Sequence, residues 1–188
     1  YDDDWNDISN FRKELEDNPD FNYNVSAILS NPAVLDEIKN PHSTVFVIAG
    51  TESPYSSLEL EILVKYMENG GSILVFGDYD YSNTVAQLFG IEFVKHRLWD
   101  ENYRDNLSLI PTTAVVDGEP FNILLNEPVA IKSLGTQYVN LWSSTFEQPT
   151  KRQFITTSKN SWIDLDDDGL ITMEDEKSGE PGFTIGMR

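Results

Sequence analysis

Two apolar runs separated by one capped helical segment constrain the fold more than any other feature. TVFVIAG (Thr44 to Gly50) and SILVFG (Ser72 to Gly77) flank the segment Ser57 to Met67. A run without polar alternation must be covered on both faces, as a central strand of a parallel sheet is. Between the runs, Ser56 and Glu59 have capping-box spacing, Glu61 and Lys65 form an i,i+4 pair, and Asn69-Gly70-Gly71 supplies the stop. This order predicts a strand–helix–strand crossover.

The same alternation extends on both sides. Ile8, Phe11 and Leu15 mark one helical face, and YNVSAIL (Tyr23 to Leu29) reads as a strand. Asn31-Pro32 opens a short helix with Val34, Leu35 and Ile38 inward, and Asn40-Pro41 closes it. Ser82 or Asn83 is expected to cap a further helix carrying Val85, Leu88 and Phe89 before Gly90. Residues 1–106 therefore predict an α/β fold with a largely parallel, doubly wound sheet.

Residues 107–188 read as β-rich, from the Asp117-Gly118 hairpin signal and the runs VAIKSL, YVNLW and RQFITTS. No repeat or low-complexity linker separates the halves, so one domain over 1–188 is expected, a usual size for a single core. The opening YDDDWNDISNF stands close to a helix and the closing FTIGMR reads as an unfinished strand, as in a piece of a longer protein.

Thirteen basic residues against 32 acidic ones leave a net charge of −19, a field that repels nucleic acid and anionic lipid. No cysteine is present, which removes disulfides, thiolate nucleophiles and cysteine metal sites. No run reaches the ~18–20 apolar residues of a membrane helix, so this segment is expected to make no membrane contact.

The most specific chemical signal is DLDDDGLITMED, Asp164 to Asp175. A calcium loop takes oxygen ligands from its positions 1, 3, 5, 7 (a backbone carbonyl), 9 and 12, with glycine at position 6 for the sharp turn. Those positions are Asp164, Asp166, Asp168, the carbonyl of Leu170, Thr172 and Asp175, with Gly169 at the turn and Ile171 pointing inward. Asp175 has a shorter arm than the usual Glu, and Glu174 or Glu176 could substitute for it. Trp162-Ile163 before the loop and Gly179, Pro181 and Gly182 after it disfavour flanking helices, so the pattern predicts one structural calcium loop between β segments. The plainer alternative is an acidic turn whose Asp side chains accept from backbone amides.

A second candidate lies beyond the carboxyl ends of the predicted strands, where α/β sheets bind ligands. Thr51 and Glu52 would meet Asp78, Tyr79, Asp80 and Ser82 there. Asp78 and Asp80 could act as acid and base or hold a metal, with Ser82 as nucleophile. GDYDYSN lacks a nucleophile elbow, and turn hydrogen bonds with a helix cap explain the same residues. His42 sits in a Pro-His turn and His96 in a KHR run that reads as exposed. Trp99, Trp142 and Trp162 could present a glycan or partner surface, and Asn24-Val-Ser26 and Asn106-Leu-Ser108 are glycosylation sequons of low specificity.

NFRKELE, TVFVIAG, ESPYSSLELEILVKYMENGGSILVFGDYDYSNTVAQLFGI, LWDENY and SWIDLDDDGLITMEDEKSGEPGF together resemble an archaeal domain family of unknown function. The resemblance is strongest over Val45 to Tyr103 and Ser161 to Phe183. It implies a variant of the class I glutamine-amidotransferase-like, flavodoxin-like fold, carried outward by a membrane-anchored protein. It carries over the Gly70-Gly71 turn, Asp78 and Asn83 at the crevice, and the acidic loop from Asp164. Cysteine-dependent amide transfer is excluded, because the chain has no cysteine. The expectation is a non-catalytic extracytoplasmic binding or scaffold domain stabilised by calcium, with a protein or glycan partner. A carboxylate- or metal-dependent hydrolase at Asp78, Asp80 and Ser82 and a glycan-binding module are the alternatives.

Overall fold

The computed structural model describes residues 9–20, 23–28, 32–77, 80–103, 109–134, 153–170, 172, 176–177 and 182–187. The chain divides into two compact units, Tyr1–Gly77 and Asp78–Arg188.

In the first unit, helix α1 (Ser9–Asp17) carries an exposed Arg12–Glu16 pair at 2.8 Å. Strand β1 (Val45–Ala49) and strand β2 (Ser72–Phe76) pair in parallel, from Val45↔Ser72 to Ala49↔Phe76. Helix α2 (Ser57–Glu68) connects them, so the predicted crossover is present. Its capping box forms in both directions: Ser56 Oγ accepts from the Glu59 N–H at 3.4 Å, and Glu59 Oε2 accepts from the Ser56 N–H at 2.7 Å. The helix buries Ile62, Leu63, Val64 and Tyr66, and the Tyr66 hydroxyl donates to the Thr44 carbonyl at 2.7 Å. Gly70 is left-handed (φ +88) and its bare Cα admits the His42 ring, which accounts for His42 as a packing residue. The segment from Pro32 to Glu37 is a 3-10 helix burying Pro32 and Leu35.

The second unit departs from the expected α/β pattern. Helix α3 (Ser82–Ala86) is short and runs into a 3-10 turn ended by left-handed Gly90 (φ 63). Strand β3 (Ile91–Phe93) then pairs antiparallel with β7 (Ile131–Ser133). Strand β4 (Leu98–Asp100) lies beside β9 (Ser161–Ile163), which also pairs with β10 (Glu176–Lys177). The largest sheet has the order β11-β8-β5-β6, from β11 (Thr184–Met187), β8 (Gln153–Thr156), β5 (Leu109–Val116) and β6 (Glu119–Asn126).

The doubly wound parallel sheet is therefore corrected: β1 and β2 are the one parallel pair among the described strands, and every other pairing is antiparallel. The glutamine-amidotransferase-like architecture falls with it. The physical reason is visible in β3, whose three residues carry Glu92 at the centre and cannot be covered on both faces as a parallel strand is. The segment 23–28, expected as a strand, is irregular.

The β5–β6 hairpin follows its sequence signal. Asp117 (φ 53) and Gly118 (φ 90) are both left-handed, as a type I′ turn requires. Along β5 the even positions Ile110, Thr112 and Ala114 are buried, a period of two with one face inward. Ile110 joins Leu98, Ala130 and Ile163 in a core flanked by Val94, Phe183 and Ile185. Ile110 and Ile163 are fully buried, each contributing ~1.5–3 kcal/mol by the usual apolar scale.

Candidate metal centre

The acidic loop begins where β9 ends. Pairing of β4 with β9 sets Leu98 against Ile163 and Trp99 against Trp162, whose rings stack with centroids 6.5 Å apart. The next residue, Asp164, donates its N–H to the Arg97 carbonyl at 3.0 Å and is 1% exposed. The ladder thus delivers this carboxylate into the body, while Asp166 and Asp168 stay exposed.

Asp164 is held by donors on both oxygens. Oδ2 accepts from the Trp99 indole at 3.0 Å and the Gly169 N–H at 2.8 Å, and Oδ1 accepts from the Asp168 N–H at 3.2 Å. The Asp168 N–H also reaches Asp166 Oδ1 at 3.4 Å, and Asp168 Oδ1 accepts from the Leu170 N–H at 2.7 Å. Gly169 (φ +75) and Asp167 (φ 58) are left-handed, which folds the loop back over Asp164. One carboxylate oxygen from each of Asp164, Asp166 and Asp168 lies within 4.8 Å of the others. This cluster can hold a metal ion, and its hard oxygen donors suit a divalent cation of the calcium, magnesium or manganese kind.

Burial is the strongest single influence on the Asp164 carboxyl and pushes its pKa up. The Gly169 N–H, the Trp99 indole, Asp166 and the Asp168 N–H pull the other way and together hold it below the usual value. Asp164 is therefore an anion at neutral pH, the form a cation ligand needs.

Leu170 is 67% exposed and Thr172 is half-buried, while Ile171, Glu174 and Asp175 lie outside the described residues. No side-chain position is described for Glu176. His96, read as exposed, is half-buried and points Nδ1 at Asp167 Oδ1 across 3.8 Å. The Arg97 guanidinium lies 5.4 Å from the Trp99 ring centroid.

Of the predicted crevice residues, Thr51 and Glu52 belong to the first unit, Asp80 and Ser82 to the second, and Asp78 and Tyr79 lie outside the described residues. Asp80 is exposed, whereas Ser82 is 2% exposed, too enclosed to meet a substrate. Neither Ser82 nor Asn83 caps α3, whose N-cap is Tyr81 without a side-chain hydrogen bond. Asn83 instead pairs with the Phe93 backbone, donating to its carbonyl at 3.0 Å and accepting its N–H at 2.8 Å.

Trp162 is 8% exposed and Trp99 is engaged with Asp164, so these two indoles offer no open glycan platform; Trp142 lies outside the described residues. Asn24 is exposed in irregular backbone, and Asn106 and Ser108 lie outside the described residues.

Two site residues escape sequence reasoning. Trp99 stands 65 positions before the carboxylate it holds, and no local pattern links them. Asp100, fully buried, accepts from the Asn102 N–H and side chain at 2.8 and 3.0 Å and from the Ser158 N–H at 3.3 Å. Its signal would have been an Asp followed by Asn two residues on, a common turn pattern.

Comparison with family models, with curated proteins and with solved structures found no match for this chain.

Proposed function

We propose that this chain is a non-catalytic extracytoplasmic binding or scaffold domain whose acidic loop holds one structural calcium ion. The observation that supports it is the convergence of Asp164, Asp166 and Asp168 around one point, with Asp164 buried and ionised. Crowded carboxylates repel one another without a counter-charge. The Asp164 Oδ2 contacts with Trp99 and Gly169 fix the carboxylate's orientation. Calcium is favoured over magnesium because it accepts a flexible shell of six to eight oxygens. Outside the cytoplasm calcium is plentiful, and a loop with affinity in the ~10⁻⁴–10⁻³ M range suffices there. The domain belongs to a cell-surface protein, and its partner is a protein or a glycan.

Titration calorimetry after chelator treatment tests the reading. The expected result is one calcium event, retained under magnesium competition and lost in Asp166→Ala. No heat and no melting shift at millimolar calcium would reduce the loop to an acidic turn.

A further inference from the structure

We propose that a groove of the second unit, formed where β8 leaves β5, binds a neutral saccharide. β8 pairs with β5 at Thr113↔Thr156 and Ala114↔Ile155, and the chain then turns away through Thr157 and Ser158. A cavity of about 480 Å³ opens beside the start of β5. It is bounded by Pro111 and Thr113 of β5, Asn122 and Leu124 of β6, and Asn102 and Ser158. That volume lies within the ~300–1,000 Å³ range of small-molecule sites.

The lining selects the ligand class by its chemistry. Among the described residues it contains no Lys, Arg or His for an anion, and no carboxylate for a cation. Asp100, held by Asn102 and Ser158, is fully buried with both oxygens already accepting. The Asn122 amide and the Thr113 hydroxyl make no hydrogen bond within the protein, among the described residues. Asn102 spends its amide N–H on Asp100 and Ser158, which leaves its carbonyl oxygen as an acceptor.

A wholly apolar ligand would strand these polar groups at a cost. Neighbouring sugar hydroxyls donate and accept together and so match an amide, while a pyranose C–H face matches Pro111 and Leu124, the latter 50% exposed. The groove contains no residue of the acidic loop, so this inference stands apart from the calcium reading.

The test is a two-dimensional amide NMR titration of the whole chain, in calcium and in chelator, with lactose, maltose, cellobiose and N,N′-diacetylchitobiose. Glycerol and sialyllactose serve as controls. At least one neutral disaccharide should give saturable shifts at Asn102, Thr113 and Asn122. Its affinity should fall about tenfold in the Asn122→Ala, Thr113→Val double variant, as loss of a hydrogen bond implies. Peak dispersion of the variant checks that it folds. Absence of saturable shifts for all four sugars, equal shifts with glycerol, tighter binding of sialyllactose than lactose, or undiminished binding by the variant would each overturn the proposal.

Discussion

The indole Nε1 of Trp99 donates to Asp164 Oδ2 at 3.0 Å, tying β4 to the entrance of the acidic loop. The same oxygen takes the Gly169 N–H from within the loop, so a single carboxylate oxygen joins the sheet to the turn. Oδ1 takes the Asp168 N–H, which also reaches Asp166 Oδ1.

Trp99→Phe should preserve the ring stacked on Trp162 and delete the N–H. A hydrogen bond to a charged, buried group contributes ~1.5–3 kcal/mol. We expect the urea midpoint to drop by that order, and calcium to recover less stability than in the parent chain. An unchanged midpoint would show that solvent replaces the indole at no cost.

Acid should reveal Asp164 in a defined direction. Its folded pKa lies below its unfolded value, so its stabilisation is complete above the unfolded value of about 3.9 and disappears as pH falls through the folded one. In chelator, stability between about pH 5 and pH 2 should fall less steeply in Asp164→Asn than in the parent. Carboxylates away from the loop act equally on both proteins and cancel in the comparison, while Asp166 and Asp168 belong to the same cluster and respond with it. Parallel curves from urea titrations at each pH would contradict the assignment.

Gly169→Ala isolates a backbone cost. A Cβ at Gly169 meets nothing within 4 Å, so the penalty comes from its φ of +75 alone. Placing alanine in the left-handed region costs ~1–2 kcal/mol, and the thermal midpoint should fall accordingly. Gly118→Ala, equally unobstructed at φ +90, is the control away from the loop. Calcium affinity should weaken in the first variant and stay unchanged in the second, as read by calorimetry.

Asn83→Ala should destabilise the second unit by more than a surface change does. Its amide acts as a strand would toward Phe93, and its removal leaves an N–H and a carbonyl unmatched beside α3. The expected loss is ~1–3 kcal/mol, measured by chemical denaturation. Asn83→Asp should recover only the acceptor half of the contact.

The local parts of this fold were legible where one short segment decides the outcome. Ser56 with Glu59 and the Asp117-Gly118 turn are such cases, because capping and turn chemistry act within four residues; the β1 and β2 runs pair as expected, but Val45, Leu74 and Phe76 are exposed where burial on both faces was expected. The acidic loop was legible for the same reason at Asp164, Asp166 and Asp168. The sheet order was not. β3, β4 and β9 are three-residue strands, too short for a period to declare itself, and their partners lie far along the chain. Ser82 and Asn83 resembled caps, yet tertiary pairing with Phe93 claimed the Asn83 side chain.

The 65-residue separation of Trp99 and Asp164 also orders the events of folding. The β5–β6 hairpin closes over a two-residue turn, whereas the β4–β9 ladder must gather a long stretch of chain first. Loop-closure entropy makes the second step the slower and later one. The acidic loop takes one of its Asp164 contacts from Trp99 of that ladder, so a cation bound there would act chiefly as a latch on the finished state, slowing its opening rather than hastening its assembly.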